Sequence, residues 1–176
     1  MNDVVIVLGS NIDKEVNLPL AVQLLREMCT VTAVSPVYET IPVGLLTQPS
    51  FLNTAVRIQT DLCATKLKQG PIHTIETRLK RIRTEDPNAP RTIDVDIVLF
   101  NDEVFAYDGG DGRIRQIPDP DLLKFPHVAI PIADLLPNKP HPQTGTLLTT
   151  LAQCLLAKST SQHGSSPLWQ RPDIHI

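Results

Sequence analysis

The stretch Pro90-Arg91-Thr92-Ile93-Asp94-Val95-Asp96-Ile97-Val98-Leu99-Phe100 decides how this chain is read. Successive side chains of a strand point to opposite faces, so Ile93, Val95 and Ile97 share one face and Asp94 and Asp96 the other. At a rise of about 3.3 Å per residue, the two acidic Cβ atoms stand about 6.5 Å apart. One face is built for a core. The other carries two carboxylates that resist joint ionisation unless a cation sits between them. A solvated strand face is the ordinary alternative, but Arg91 and the basic segment upstream weigh against it. Residues 92–100 are expected to form a central strand.

Working outward, Val4-Val5-Ile6-Val7-Leu8 is an apolar run closed by Gly9-Ser10-Asn11, the pattern of a buried strand entering a turn. Asn17 is placed to cap a helix with Pro19 in its first turn, and Leu20, Ala21, Leu24, Leu25 and Met28 form its apolar face. Residues 30–37, rich in β-branched side chains, predict a second strand. Residues 40–50 form a loop containing Pro42, Gly44 and Pro49, and residues 51–60 a third strand. A helix follows, broken at Gly70-Pro71 because an interior proline costs about 3 kcal/mol. It restarts with Ile72, Ile75, Leu79 and Ile82 as its buried stripe. Short helices are predicted around residues 132–135 and 147–156. The order β-α-β-β-α-β predicts an α+β fold, a ferredoxin-like antiparallel sheet with helices on one face and additional C-terminal elements. That domain spans residues 1–157. The polar residues 158–176 form a C-terminal tail, expected to be poorly ordered unless it docks.

A chain of 176 residues with 41% apolar and 20% charged residues fits one globular domain. No apolar run approaches the roughly 18 residues needed to span a bilayer, and the opening lacks a basic segment followed by an apolar one. A cytoplasmic protein without a membrane partner is expected. Cys29, Cys63 and Cys154 are too few and too scattered for a disulfide framework or a zinc site. Charge is segregated: residues 57–91 hold eight basic against four acidic side chains, whereas residues 92–121 hold eight acidic ones against Arg113 and Arg115. A polyanion neutralised jointly by arginines and a carboxylate-held cation suits that arrangement. A nucleic-acid partner is not expected, because it would call for a basic surface without the acidic block.

Arg81, Arg83 and Arg91 approach the carboxylate pair from the helix end and the flanking loop, and a guanidinium fork matches phosphate. Arginines at a helix C-terminus are also ordinary complements of the dipole. Gly9-Ser10 is not a phosphate loop, since no Gly-Lys-Ser/Thr ending follows. Phe51 and Asn53 share a strand face, where a ring can stack on a flat heterocycle and an amide can both donate to it and accept from it. A core phenylalanine and a turn asparagine would look the same in sequence, and the residues alone favour that.

Several motifs at matching spacing lift both sets together. Leu8-Gly9-Ser10-Asn11, Ser35-Pro36-Val37-Tyr38-Glu39-Thr40 with Pro42-Val43-Gly44, and Gln48-Pro49 to Asn53 resemble one family, as do Ile75-Glu76, Arg81-x-Arg83 and Pro90 to Asp96. It is the hydroxymethyldihydropterin pyrophosphokinase family of folate biosynthesis, and the resemblance runs from about Val4 to Pro137. It implies transfer of diphosphate from ATP to the hydroxymethyl group of a dihydropterin, with release of AMP. It implies two Mg²⁺ ions on Asp94 and Asp96, catalytic roles for Arg81 and Arg91, and a nucleotide held by Glu76, Arg83, Arg91, Asp119 and Lys124. It further implies a pterin pocket lined by Thr40, Val43, Phe51, Asn53 and His127, with residues 40–50 and 84–89 closing over the site. The partners are then ATP and a dihydropterin, on a monomer or homodimer.

The chain also departs from the pattern. Asp119 stands where a histidine follows the proline, and Phe125, beside Lys124, where an arginine faces the phosphates. Pro87 and Asn88 replace an arginine and a tryptophan, and His127 takes the place of the second stacking aromatic. Each lost charge-assisted bond is worth about 1.5–3 kcal/mol, so Lys124, Arg113 or Arg115 would have to compensate. The alternative reading is a non-catalytic or altered-specificity pterin- or nucleotide-binding relative that has lost part of the triphosphate site.

Overall fold

The computed structural model describes residues 1–42, 47–86, 89–163 and 166–176. In chain order they form β1 (Asn2–Ser10), α1 (Lys14–Met28), β2 (Thr30–Val34), β3 (Tyr38–Thr40), β4 (Phe51–Thr60), α2 (Ala64–Leu67) and α3 (His73–Arg78). There follow β5 (Asp94–Phe100), β6 (Phe105–Asp108), β7 (Ile114–Ile117), α4 (Pro126–Leu135), α5 (Leu148–His163) and β8 (Leu168–Gln170). The main sheet has the order β5-β1-β4-β3-β8, with β2 also on β4. Every pairing is antiparallel, and β2 and β3 lie end to end along one side of β4. Both β1 and β2 run opposite to β4 between them, which is the split βαβ of a ferredoxin-like domain. That is the α+β fold the sequence predicts.

Period-two alternation gives the sheet two cores. Val4, Ile6, Leu8, Leu52, Val56, Ile58, Val95 and Ile97 pack with Leu18, Val22, Leu25, Ile72 and Ile75 from α1 and the α2–α3 segment. On the opposite face, Val5, Val7, Ala55 and Val98 pack with Val128, Ala129 and Ile132 of α4 and Leu148 and Ala152 of α5. The C-terminal additions therefore cover the face that a minimal ferredoxin-like domain leaves open. Among the described residues, no helix is long and apolar enough to cross a membrane.

Several local expectations are corrected. β5 is an outer strand, paired only with β1 among the described residues. It reads as central because both its faces are covered, and burial on two faces gives a continuous apolar run whether or not a strand is at an edge. β1 continues through Ser10 instead of turning at Gly9. α1 begins at Lys14, so Pro19 lies inside the helix, and Asn17 donates to the Ile12 carbonyl at 2.7 Å instead of capping. The chain does not break at Gly70-Pro71. One π-helical turn, Lys68–Ile72, joins α2 to α3, and wider i→i+5 bonding absorbs the proline's missing N–H. Ile82, expected in the buried stripe, is 74% exposed because α3 has already ended. There Lys80 adopts φ 54° while the Arg81 N–H reaches back to the Glu76 carbonyl at 2.8 Å. Residue 157 falls inside α5, and the tail beyond it docks: β8 adds to β3, and Ile174 and Ile176 pack against the first core.

A candidate active site at one end of the sheet

A cleft of about 460 Å³ opens where β1 ends and β4 and β5 begin, beneath the start of α4. Its floor is the α4-facing side of the sheet: Val7 and Gly9 of β1, Phe51 and Asn53 of β4, and Asp94, Asp96 and Val98 of β5. The strand register explains the grouping, since Gly9 lies opposite both Asn53 and Asp94. A Cβ on Gly9 would stand 3.0 Å from the Asn53 amide oxygen, so a side chain there would crowd that amide. Thr40, Arg91, Asp119, Lys124, Phe125 and His127 complete much of the wall.

At one end, Asp94 and Asp96 project together as the alternation requires. Burial and the neighbouring Asp96 charge push the Asp94 carboxyl above its ordinary range, despite the Arg91 guanidinium bonded to it. Arg91 also lies over the Phe51 ring, 5.9 Å from its centroid. Its backbone is fixed from β1: the Arg91 N–H donates to Asn11 Oδ1 at 2.7 Å, and the Asn11 N–H to the Arg91 carbonyl at 3.1 Å. Ser10 Oγ donates to the Thr92 carbonyl at 2.6 Å. The segment read as a simple turn thus sets the arginine's position.

At the other end, Asn53 Nδ2 donates to Thr40 Oγ1 at 2.9 Å, leaving the amide oxygen toward the cleft floor. Phe125 and His127 stack with centroids 5.3 Å apart and an interplanar angle of 26°, forming a paired aromatic wall. Burial pulls the His127 imidazole down to about 4, so it is neutral well below neutral pH. Asp119 follows a cis Ile117–Pro118 peptide and accepts from the Asp121 N–H at 2.8 Å. Burial, with a smaller contribution from the Asp96 charge, pushes it up to about 6.

Nine of the sequence-derived site residues thus line one cleft: Thr40, Phe51, Asn53, Arg91, Asp94, Asp96, Asp119, Lys124 and His127. Val43 lies outside the described residues, as do Pro87, Asn88 and parts of both loops expected to close. Glu76, Arg81 and Arg83 stand behind the carboxylates. Arg83 bonds Glu76 Oε2 at 2.8 Å. Arg81 donates to the Ile82 carbonyl and is near enough to Asp94, Arg91 and Arg83 to feel their charge. Lys124 holds Asp121 at 3.2 Å, and Arg115 forks onto Asp111 at 2.7 and 2.8 Å. Sequence reasoning missed Lys68. It is 4% exposed, donates to the Val95 carbonyl at 2.6 Å, and places its ammonium 3.3 Å from Glu76 and 3.5 Å from Asp96. A lysine that breaks a helical apolar stripe just before Gly-Pro was its only signal.

Fold and cleft together define a class: ferredoxin-like domains with paired strand carboxylates at one end of a cleft. The structure of Plasmodium falciparum HPPK-DHPS A437G with pteroate shares this fold, with a TM-score of 0.74 over 96% of this chain at 14% identity. This chain spans 46% of that longer one. A 2-amino-4-hydroxy-6-hydroxymethyldihydropteridine pyrophosphokinase of Bacillus subtilis is 41% identical over 139 residues, 77% of this chain and 79% of the relative. A protein of that same description from Aquifex aeolicus is 31% identical over 136 residues, covering 77% and 81%. The chain belongs to the 7,8-dihydro-6-hydroxymethylpterin-pyrophosphokinase family, whose model matches residues 5–137.

Proposed function

We propose that this pyrophosphokinase transfers diphosphate from ATP to the hydroxymethyl group of 6-hydroxymethyl-7,8-dihydropterin and releases AMP. The observation that carries the reading is one cleft holding both halves of the reaction: Asp94, Asp96 and Arg91 at one end, and Thr40, Asn53 and the Phe125–His127 wall at the other. The hydroxymethyl oxygen attacks the β-phosphorus and loses its proton, and the α–β bridging bond breaks with its electron pair leaving on AMP.

Two oxygen-donor carboxylates fit Mg²⁺, which binds through one or two carboxylates, waters and substrate phosphates instead of a full protein cage. The raised Asp94 carboxyl fits as well, since a cation would relieve the repulsion that raises it. Asp94 and Asp96 would hold two Mg²⁺ ions, which when bound neutralise triphosphate charge and polarise the transferred group. Arg91, braced by Asn11 and Phe51, lies ready to turn its fork from Asp94 to a phosphate oxygen. Arg81 contributes charge from behind, while Glu76 and Arg83 border the nucleotide. Asn53 reads the pterin edge, Phe51 and the Phe125–His127 wall give it apolar faces, and Lys124 stands at the phosphate rim.

Incubation with Mg-ATP and 6-hydroxymethyl-7,8-dihydropterin, followed by chromatography, should yield AMP in step with pterin consumed, and chelation of Mg²⁺ should stop it. Bound pterin without AMP release would overturn the reading.

A further inference from the structure

The C-terminal segment grips the strand that carries the pterin wall, from beyond the residues 5–137 that the family model matches. β3 has only three residues, and β8 pairs with it along their whole length: Leu168 opposite Thr40, Trp169 opposite Glu39, Gln170 opposite Tyr38. The ladder extends at both ends, with the Ile41 N–H donating to the Pro167 carbonyl at 3.2 Å and the Arg171 N–H to the Val37 carbonyl at 2.8 Å. The side chains add a second tie. The Arg171 guanidinium bonds Glu39 Oε2, while Glu39 Oε1 receives Lys14 Nζ at 2.6 Å and the Ser50 hydroxyl. Lys14 also bonds the Ser50 carbonyl at 3.0 Å.

Glu39 is thus the knot between four segments, and its chain neighbours are not neutral bystanders. The next residue, Thr40, accepts the bond that orients the Asn53 amide. Its partner Ser50 immediately precedes Phe51. Alternation turns Glu39 to the α1 side of the sheet while Thr40 faces the cleft. Arg171 therefore touches no ligand position, yet it holds the strand on which two pterin-facing groups depend.

We propose that Arg171, through Glu39, is a positioning residue for the pterin wall, so that the docked C-terminal segment sets affinity for the pterin and not for the nucleotide. The proposal rests on reading this cleft as the pterin site. Arg171 lies at the margin of the fold, and Lys14 still neutralises Glu39 without it, so its replacement leaves the domain folded.

Calorimetric titration of the full chain with 6-hydroxymethylpterin, and separately with a non-hydrolysable Mg-ATP analogue, tests this. Arg171→Ala should weaken pterin binding about fivefold, the scale of a coupling carried through one bonded network. Nucleotide affinity should stay at the parent value, and Arg171→Lys should recover most of the loss. In turnover, KM for the pterin should rise while kcat holds. Equal pterin affinity in parent and Arg171→Ala overturns the inference alone, as does an equal loss for both ligands. A parent that fails to bind pterin overturns the reading of the cleft, and the inference with it.

Discussion

Asp119 and His127 are shifted in opposite directions by burial in the cleft, and on the proposed reading they face different ligands. On the proposed reading Asp119 puts a carboxylate where the triphosphate would lie, and with its proton held up to about 6 it is mostly ionised at pH 7.5 and mostly neutral at pH 5. Asp119→Asn keeps the acceptor for the Asp121 N–H and removes the charge. We expect the variant to bind Mg-ATP several-fold more tightly at pH 7.5, a repulsion of about 1 kcal/mol at partly solvated separations. The advantage should vanish by pH 5; taking the ratio of the two affinities cancels the nucleotide's own protonation. A ratio that stays constant with pH would detach Asp119 from the phosphates. His127 behaves otherwise. An ordinary histidine would charge near pH 6.5 and repel a pterin on acidification, but burial holds this one to about 4. Pterin affinity should be level between pH 7.5 and 5.5, and His127→Phe should tighten it without tilting it. A parent affinity that falls across that range, measured by calorimetry, would mean the imidazole is wetter than its place beside Phe125 indicates. The shared faces of Asp94 with Asp96 and of Phe51 with Asn53 were legible in the sequence because a period of two needs no tertiary knowledge, but Phe51 and Asn53 stood out from an ordinary core ring and turn amide only through the family resemblance. Lys68 was not, because its ammonium meets Glu76 and Asp96 only after the sheet forms, and a lysine in a helix normally reads as solvated.

Elements were legible where one rule governed them and illegible where two competed. The β1, β4 and β5 runs were read as strands from their apolar runs and alternation, although the outer place of β5 and the end of β1 were not. The α2–α3 segment was not, because proline's helix-breaking tendency was weighed without the π turn that accommodates it. The end of α3 offers a direct test of local chemistry. Lys80 holds a left-handed backbone with φ 54°, closing the helix by the bond from the Arg81 N–H to the Glu76 carbonyl. Glycine takes that conformation without steric penalty, whereas other residues pay about 1–2 kcal/mol. After allowing for glycine's freer unfolded chain, Lys80→Gly should raise stability by about 1 kcal/mol in urea denaturation. A loss of stability would show that the lysine side chain contributes more than its backbone costs.

For the molecule as a whole, acid has two opposed effects that the sequence could not reveal, because each depends on burial. Asp119, with Asp94 and Asp134, is raised on folding, so the folded state holds protons that the unfolded state has lost. These groups add stability as pH falls from about 6 toward the ordinary carboxyl value near 4. His127 and His141 are lowered by burial, so the unfolded chain takes up protons that the folded one refuses, and stability falls as pH drops below about 6.5. The Asp119 and His127 shifts are of similar size and opposite sense. The parent's urea midpoint should therefore change little between pH 7 and 5. His127→Phe should become more stable on acidification, and Asp119→Asn less. Parallel behaviour of the two variants would show that other groups govern the balance. Below about pH 4, loss of the Glu39 carboxylate should weaken every form. Burial opposes its charge, but the bonds from Lys14, Ser50 and Arg171 hold it down to about 2.

The docked tail also has an optical consequence. The chain contains one tryptophan, Trp169, 46% exposed on β8 opposite Glu39 and one strand removed from Thr40 at the cleft wall. Its emission comes from a single known place, on the strand next to Thr40, and a pterin in the proposed site would absorb where indole emits. Energy transfer from indole to bound pterin should dim that emission in proportion to occupancy. The unlabelled protein would then report filling of its own cleft, in real time, through a residue that takes no part in the chemistry.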